Sequence, residues 1–113
     1  MLAKLAMDAG YCNGIREWKQ NALDSLRRHY GDLGCDKKTA TAIFDQVLQD
    51  PQSRIAKRTE TRPGFEQPFY FEFIVDHSEF GKMYFEFILL RDDPEDLVVQ
   101  IVSVHPPSFP EIN

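Results

Sequence analysis

The sequence predicts a single α+β domain in which two or three N-terminal helices pack on one face of a roughly four-stranded antiparallel sheet. The 113 residues match the usual size of one domain. Apolar residues recur every three or four positions up to about residue 50, and every second position from about residue 69. These are the periods of an amphipathic helix and of a strand. We therefore expect a helical part over about 1–50, a sheet part over about 53–107 and a tail over 108–113.

Three segments of the N-terminal half have helical composition. Residues 2–9 end at Gly10, and glycine commonly terminates helices. Residues 15–30 carry one apolar stripe, so we predict a single helix over this range. Asp36 is expected to cap a further helix at 37–49, which ends before a proline. The stripe of the helix at 15–30 consists of Ile15, Trp18, Ala22, Leu23, Leu26 and Tyr30.

Four strands are predicted in the C-terminal half. Residues 53–61 alternate loosely and are polar enough for an edge strand. Two strongly alternating runs follow, joined by a hairpin at 77–81. The last run, Leu97–His105, is apolar on both faces and therefore predicts a central strand. The rows expected to face the helices are Phe69, Phe71, Phe73 and Val75 on one strand and Met83, Phe85, Phe87 and Leu89 on the next.

Charge is divided unevenly along the chain, whose net charge is −5. Residues 1–62 hold 11 basic and 8 acidic side chains, which is +3, whereas residues 63–113 hold 2 and 10, which is −8. A generally basic nucleic-acid-binding protein is therefore not the expected class. The basic side chains within 54–62 either bind RNA or protect an edge strand from aggregation. Residues 91–96 are expected to form an acidic turn. We expect this basic cluster, Arg54, Lys57, Arg58 and Arg62, to lie apart from the acidic turns.

Cys12 and Cys35 are the only cysteines, and neither has a spacing typical of a zinc site or of a disulfide framework. We expect two reduced thiols in a cytoplasmic protein with no metal and no cofactor. No apolar run approaches the length of a membrane span. A membrane is therefore not an expected partner. DNA is not expected either, because the net charge of the chain is −5.

Strand alternation places ionisable groups together on the face away from the helices. Tyr70, Glu72, Tyr84 and Glu86 share that face, and the last strand adds either Ser103 and His105 or their neighbours. RNA cleavage without a metal needs a base for the 2′-hydroxyl, cations for the phosphorane and an acid for the leaving oxygen. We expect Glu86 or Tyr84 as the base, Lys57 and Arg58 as the cations and His105 as the acid. The alternative is that these are ordinary solvent-facing strand residues. The predicted catalytic residues are Lys57, Tyr84, Glu86 and His105, and the predicted RNA-binding residues are Arg54, Arg58 and Arg62.

Three short motifs give the chain a resemblance to a known family. They are Ile55-Ala-Lys-Arg-Thr59, Gly81-Lys-Met-Tyr-Phe-Glu-Phe87 and Val102-Ser-Val-His105. Over residues 38–107 the chain resembles the MqsR branch of RelE-like bacterial ribonuclease toxins. Lys57 and Tyr84 match family positions, whereas His105 stands where the family has lysine. The resemblance implies a metal-independent messenger-RNA endonuclease that a cognate antitoxin neutralises.

A second function class fits the acidic half of the chain. Carboxylates concentrated after residue 63 favour a non-enzymatic binding protein, such as an immunity protein that inhibits a basic enzyme. Such a protein is steered onto a cationic partner by its net charge of −8 over this half. Endonuclease and acidic inhibitor are the two expectations that the sequence supports.

Overall fold

In the computed structural model, residues 15–50, 52–64, 67–91 and 98–107 are described. The predicted helix at 2–9, Cys12, the acidic turn at 92–96 and the tail lie outside these residues. The described residues form an α+β arrangement of two α-helices and five strands. In chain order the elements are β1 (Ile15–Trp18), α1 (Gln20–Tyr30), a short 3-10 turn (Gly31–Leu33), α2 (Lys37–Gln49), β2 (Ala56–Thr59), β3 (Phe69–His77), β4 (Gly81–Arg91) and β5 (Val98–His105).

The sheet has the strand order β1-β5-β4-β3-β2. Strands β2 to β5 are antiparallel neighbours, whereas β1 pairs with β5 in parallel. The prediction of roughly four antiparallel strands is therefore wrong in detail, because the sheet is five-stranded and mixed. The edge position of β2 and the interior position of β5 are confirmed.

The predicted helix at 15–30 is wrong over its first four residues. Ile15–Trp18 is strand β1, and the helix begins only at Gln20. The backbone N–H of Lys19 donates to the carbonyl of Ile101 at 3.0 Å, which ties the end of β1 to β5. Trp18 also donates its indole N–H to the Thr41 hydroxyl at 3.0 Å. These partners lie far away in sequence, so local apolar spacing does not reveal them.

Helix α2 has the predicted bounds, Lys37–Gln49. Its cap is also confirmed, because the Asp36 carboxylate accepts a hydrogen bond of 2.8 Å from the backbone N–H of Thr39. Phe44 projects from this helix onto the sheet, with ring centroids 5.0–5.8 Å from Phe73, Phe85 and Phe87. The helix thus covers the aromatic rows of β3 and β4.

The two aromatic rows form the core, as the alternation predicts. Phe71 and Phe73 of β3 stack on Phe87 and Phe85 of β4, respectively. Each of these rings and Met83 is buried. Phe69 is an exception, since 40% of it is exposed at the start of β3. Helix α1 packs on the same face, where the Ser25 hydroxyl donates to the Val104 carbonyl at 2.6 Å.

No helix among the described residues has the length and apolar character needed to cross a bilayer.

Candidate functional site

The ionisable cluster lies on the sheet face opposite the two helices, which we call the open face. Cross-strand register pairs Glu72 with Glu86 and Glu86 with Ser103. The same register pairs Tyr84 with His105. Directly opposed residues of antiparallel strands point to the same side. The last strand therefore contributes Ser103 and His105 to this face, and not their neighbours.

Glu86 is buried on the open face, with only 5% of its surface exposed. Its carboxylate accepts a hydrogen bond from the Arg62 guanidinium and another, of 3.1 Å, from the Tyr84 hydroxyl. A buried carboxylate needs partners of this kind because losing its hydration is costly. Glu86 is thus held in one place by two neighbours.

The Arg62 guanidinium forms ion pairs with two carboxylates, those of Glu60 and Glu86. It also donates to Glu60 at 2.7 Å, and hydrogen bonds from Arg62 hold the pKa of that carboxyl at about 2. The two carboxylates raise the pKa of the guanidinium further above its usual value. The Glu60 N–H donates to the Pro68 carbonyl at 2.9 Å, which closes the loop that carries Arg62. This loop brings the guanidinium to Glu86 and over the ring of Tyr70, 4.8 Å from its centroid.

Tyr84 lies between two glutamates. Its hydroxyl is 2.9 Å from Glu72 and 3.1 Å from Glu86. Burial raises the pKa of Tyr84, and the hydrogen bond to Glu72 raises it further. Tyr84 is consequently a neutral hydrogen-bond donor, which does not suit the role of base that the sequence left open for it.

His105 stands beside Tyr84, with ring centroids 4.8 Å apart. Its Nδ1 is 2.8 Å from the carbonyl oxygen of Pro106, so Nδ1 carries the proton and donates. Burial, Arg28 and His105 together lower the pKa of His29, in that order.

The four basic residues that the sequence singled out do not act as one cluster. Lys57 pairs in register with Phe71, so it lies on the helix side of the sheet, with Nζ 4.0 Å from the ring centroid of Phe69. Arg58 reaches the open face, where it forms an ion pair of 3.0 Å with Glu72. Arg58 and Arg62 are therefore ion-pair partners of carboxylates in or beside the sheet, whereas the separation of the basic cluster from the acidic turn at 91–96 stays a prediction, because residues 92–96 lie outside the described chain. Arg54 is exposed before β2 and lines a groove on the open face.

The structure thus brings Tyr84, Glu86 and His105 together with Arg58 and Arg62, and it leaves Lys57 on the opposite face. Sequence reasoning missed Glu60 and the direct pairing of Arg62 with Glu86. The only local signal was the turn sequence at 62–64, in which Gly64 adopts a φ of 90°. Turn residues set the direction of a loop but not the strand onto which it folds.

In the described part of the chain, potential metal ligands do not form groups of three, and the Cys35 thiol is buried. No group of three potential ligands among histidine, cysteine, aspartate and glutamate is close enough there to hold a metal ion. Cys35 is buried in the core, and burial raises its pKa to about 11. The thiolate that metal binding and nucleophilic attack require is thus disfavoured.

Comparisons with protein-family models, with curated proteins and with solved structures gave no match to this chain.

Proposed function

We propose that the open face cleaves single-stranded RNA without a metal ion, with Glu86 as base, Arg62 as the phosphate-stabilising cation and His105 as acid. The observation that carries the proposal is the placement of Glu86. Burying a carboxylate is costly, and its pair with the Arg62 side chain, which is 45% exposed, adds little stability of its own. A carboxylate held between Arg62 and Tyr84, on a face that also bears His105, therefore favours a role in chemistry.

The proposed reaction is an intramolecular transesterification. Glu86 accepts the proton of the 2′-hydroxyl while the 2′-oxygen forms a bond to phosphorus. The bond between phosphorus and the 5′-oxygen breaks, and protonated His105 donates the proton that the leaving oxygen needs. The products are a 2′,3′-cyclic phosphate and a 5′-hydroxyl. Arg62 offsets the charge that develops on the phosphorane oxygens.

Two supporting residues have different roles in this scheme. Tyr84 positions Glu86 by sharing its one hydroxyl proton between Glu72 at 2.9 Å and Glu86 at 3.1 Å, and its raised pKa disfavours the phenolate. Arg58 neutralises Glu72, which stands directly opposite Glu86 in the sheet. Without Arg58, the charge of Glu72 would oppose both ionised Glu86 and an approaching phosphate.

The resemblance to RelE-like toxins supports the same activity because Tyr84, which matches a family position, contacts Glu86 on the open face. Lys57 matches another family position but lies on the opposite face, so it gives no such support. On this proposal the protein is a cytoplasmic toxin, and its partners are messenger RNA and a cognate antitoxin. The family position at which lysine is replaced carries His105, and histidine is the side chain that most often serves as a general acid.

The test is cleavage of a single-stranded RNA by the purified protein in the presence of a chelator. Replacing a general acid or base costs about 10²–10⁴-fold in rate. We expect losses of that order for Glu86→Gln and His105→Ala, whereas His77→Ala, a histidine substitution in the β3–β4 hairpin, retains the wild-type rate. Lys57→Ala tests whether Lys57 is catalytic, as the sequence predicted. This scheme predicts that the variant cleaves at the wild-type rate, and a loss comparable to that of Glu86→Gln would show that Lys57 belongs to the site. Intact RNA at micromolar protein, or wild-type rates in both site variants, would contradict the proposal.

A second candidate is the acidic inhibitor of a basic enzyme, and one observation favours it. Arg58 and Arg62 of the open face are already paired with carboxylates, so three glutamates accompany these two arginines. Such a face attracts RNA less than a row of unpaired cations would. Expression in a bacterial host distinguishes the two candidates, since a toxin arrests growth and an inhibitor does not. Harmless expression together with tight, salt-sensitive binding to a cationic protein would favour the inhibitor.

A further inference from the structure

A groove of about 300 Å³ lies on the open face beside the ionisable cluster. Two residues belong to both the groove and the cluster. The Tyr84 hydroxyl is 3.1 Å from the Glu86 carboxylate, and Glu72 stands directly opposite Glu86 in the sheet. A molecule in this groove would therefore lie next to Glu86. The groove is lined by Arg54, Ala56, Glu72, Phe73, Ile74 and Tyr84.

One wall of the groove is apolar and exposed. Ile74 is 44% exposed, which is unusual for a large apolar side chain in the middle of a strand. It lies cross-strand from Tyr84, so its side chain and the tyrosine ring project from the same face of the sheet. Ala56 pairs with Glu72 in register and adds only a methyl group to the lining. A flat, partly apolar molecule can therefore pack against Ile74 and Tyr84.

The carboxylate of Glu72 gives the groove a hydrogen-bond acceptor whose charge is already offset. One of its oxygens accepts from the Tyr84 hydroxyl at 2.9 Å, and the other accepts from Arg58 at 3.0 Å. A carboxylate has about four lone-pair sites, so each oxygen can accept one further hydrogen bond. The Glu72 side chain is 22% exposed and is thus within reach of a ligand. Because Arg58 offsets its charge, Glu72 can accept from two neutral N–H groups that lie side by side.

Arg54 adds a cation to the lining of the groove. It is exposed and, unlike Arg58 and Arg62, forms no ion pair within the described part of the chain. A guanidinium binds phosphate oxygens through two parallel hydrogen bonds. The groove thus combines an apolar wall, a pair of acceptors and a phosphate-binding cation. These match the ring, the polar edge and the phosphate of a nucleotide.

We propose that this groove binds a guanine base of the RNA that the open face cleaves. Guanine presents two adjacent donors, N1–H and the N2 amino group, which match the two oxygens of Glu72. Adenine and cytosine present an amino group beside a ring acceptor, and uracil presents one N–H between two carbonyls. The purine ring packs on Ile74 and Tyr84, as unstacked bases of single-stranded RNA commonly pack on protein side chains. This inference rests on the proposed function and names the base that lies beside the scissile phosphate.

The test uses the whole protein and tetranucleotides of 2′-O-methyl RNA, which cannot be cleaved because the 2′-oxygen carries no proton. Each tetranucleotide contains one guanosine, inosine or adenosine among uridines. Binding is followed by the amide chemical shifts of residues 72–74. We expect saturable shifts with guanosine. Inosine lacks only the N2 amino group and should bind about fivefold more weakly, the order of one hydrogen bond, and adenosine should bind more weakly still.

Two variants separate the acceptor from the apolar wall. Glu72→Gln replaces one acceptor by a donor, so the preference for guanosine over adenosine should disappear. Ile74→Ala should weaken binding of all three tetranucleotides. Leu33→Ala is the matched control, because Leu33 is 55% exposed and lies outside this groove, and it should bind as the wild type does. Unfolding in urea checks that each variant is folded, and the comparison of guanosine with inosine needs no variant.

Three outcomes would overturn the inference. They are absence of saturable binding, equal binding of guanosine and adenosine, and a guanosine preference that Glu72→Gln leaves unchanged. Cleavage of ordinary single-stranded RNA is measured separately. Cleavage with no preference for guanosine would contradict this inference but not the nuclease activity. Guanosine-specific binding without cleavage would contradict the nuclease activity alone.

Discussion

At the scale of single residues, the open face is organised by a conflict between like charges. Strand pairing puts Glu72 directly opposite Glu86, an arrangement that is destabilising when both are ionised. The Tyr84 hydroxyl bridges the two carboxylates, and each also pairs with an arginine, Glu72 with Arg58 and Glu86 with Arg62. The stability of this face therefore depends on a few polar contacts, each of which can be removed.

Replacing Tyr84 with phenylalanine should destabilise the protein. The change leaves two opposed carboxylates without their shared donor, and losing such a bond costs about 1–3 kcal/mol. The free energy of unfolding in urea at pH 7 measures the effect. Tyr70→Phe is the matched control, because no hydrogen bond of the Tyr70 hydroxyl occurs among the described residues. Equal losses in the two variants would mean that the bridge contributes nothing.

The ion pair between Glu60 and Arg62 should make stability depend on acid pH. Hydrogen bonds from Arg62 lower the pKa of Glu60 from its usual 4.5 to about 2 in the folded protein. A depressed pKa of this kind stabilises the fold fully above pH 4.5, and the contribution disappears as the pH falls toward 2. Unfolding curves of the wild type and Glu60→Gln should therefore differ at pH 6 and converge near pH 2. A difference that stays constant over this range would contradict the pairing.

At the scale of elements, periodicity predicted most of the helices and strands. The bounds of α2, the β3–β4 hairpin and the buried rows of both strands follow from the spacing of apolar residues. Strand β1 does not, because Ile15 and Trp18 continue the helical stripe of α1 by chance of spacing. Four residues are too few to distinguish the two periods, and pairing with β5 decides between them.

Truncation of a core ring should be costly. Phe85 is fully buried and stacks on Phe73, while Phe44 covers it from helix α2. Phe85→Ala should reduce the free energy of unfolding by about 3–5 kcal/mol, the usual cost of removing a buried aromatic side chain. Phe69→Ala, at a position that is 40% exposed, should cost less than about 1 kcal/mol. Similar losses at both positions would contradict the register of β3.

At the scale of the whole molecule, the first described strand, β1, forms one edge of the sheet beside the last strand, β5. The parallel pairing of β1 with β5 brings residues 15–18 to residues 98–101. An ion pair of 2.7 Å between Arg16 and Asp45, together with the bond from Trp18 to Thr41, ties β1 to helix α2. The most distant parts of the described chain thus meet at one side of the sheet.

Native-state hydrogen exchange should reflect this topology. Strands β4 and β5 each have a neighbour on both sides, so their amides should exchange most slowly. The amides of the short edge strand β2 should exchange fastest among the strands. The outward amides of residues 73–77, which point away from β4, should exchange at a similar rate. Slow exchange of these outward amides in the free protein would show that something already covers this edge of β3.

The sequence by itself determined the α+β class, the extent of helix α2, the aromatic rows that face it and the shared face of Tyr84 and Glu86. Each of these follows from local periodicity, which repeats every 3.6 or 2 residues and needs no distant partner. Only the tertiary structure decided that Ile15–Trp18 is a strand, that Lys57 faces the helices and that Arg62 folds back onto Glu86. These outcomes depend on which strand lies beside which and on how a loop closes. Such pairings join residues far apart in the chain and leave no period in the sequence.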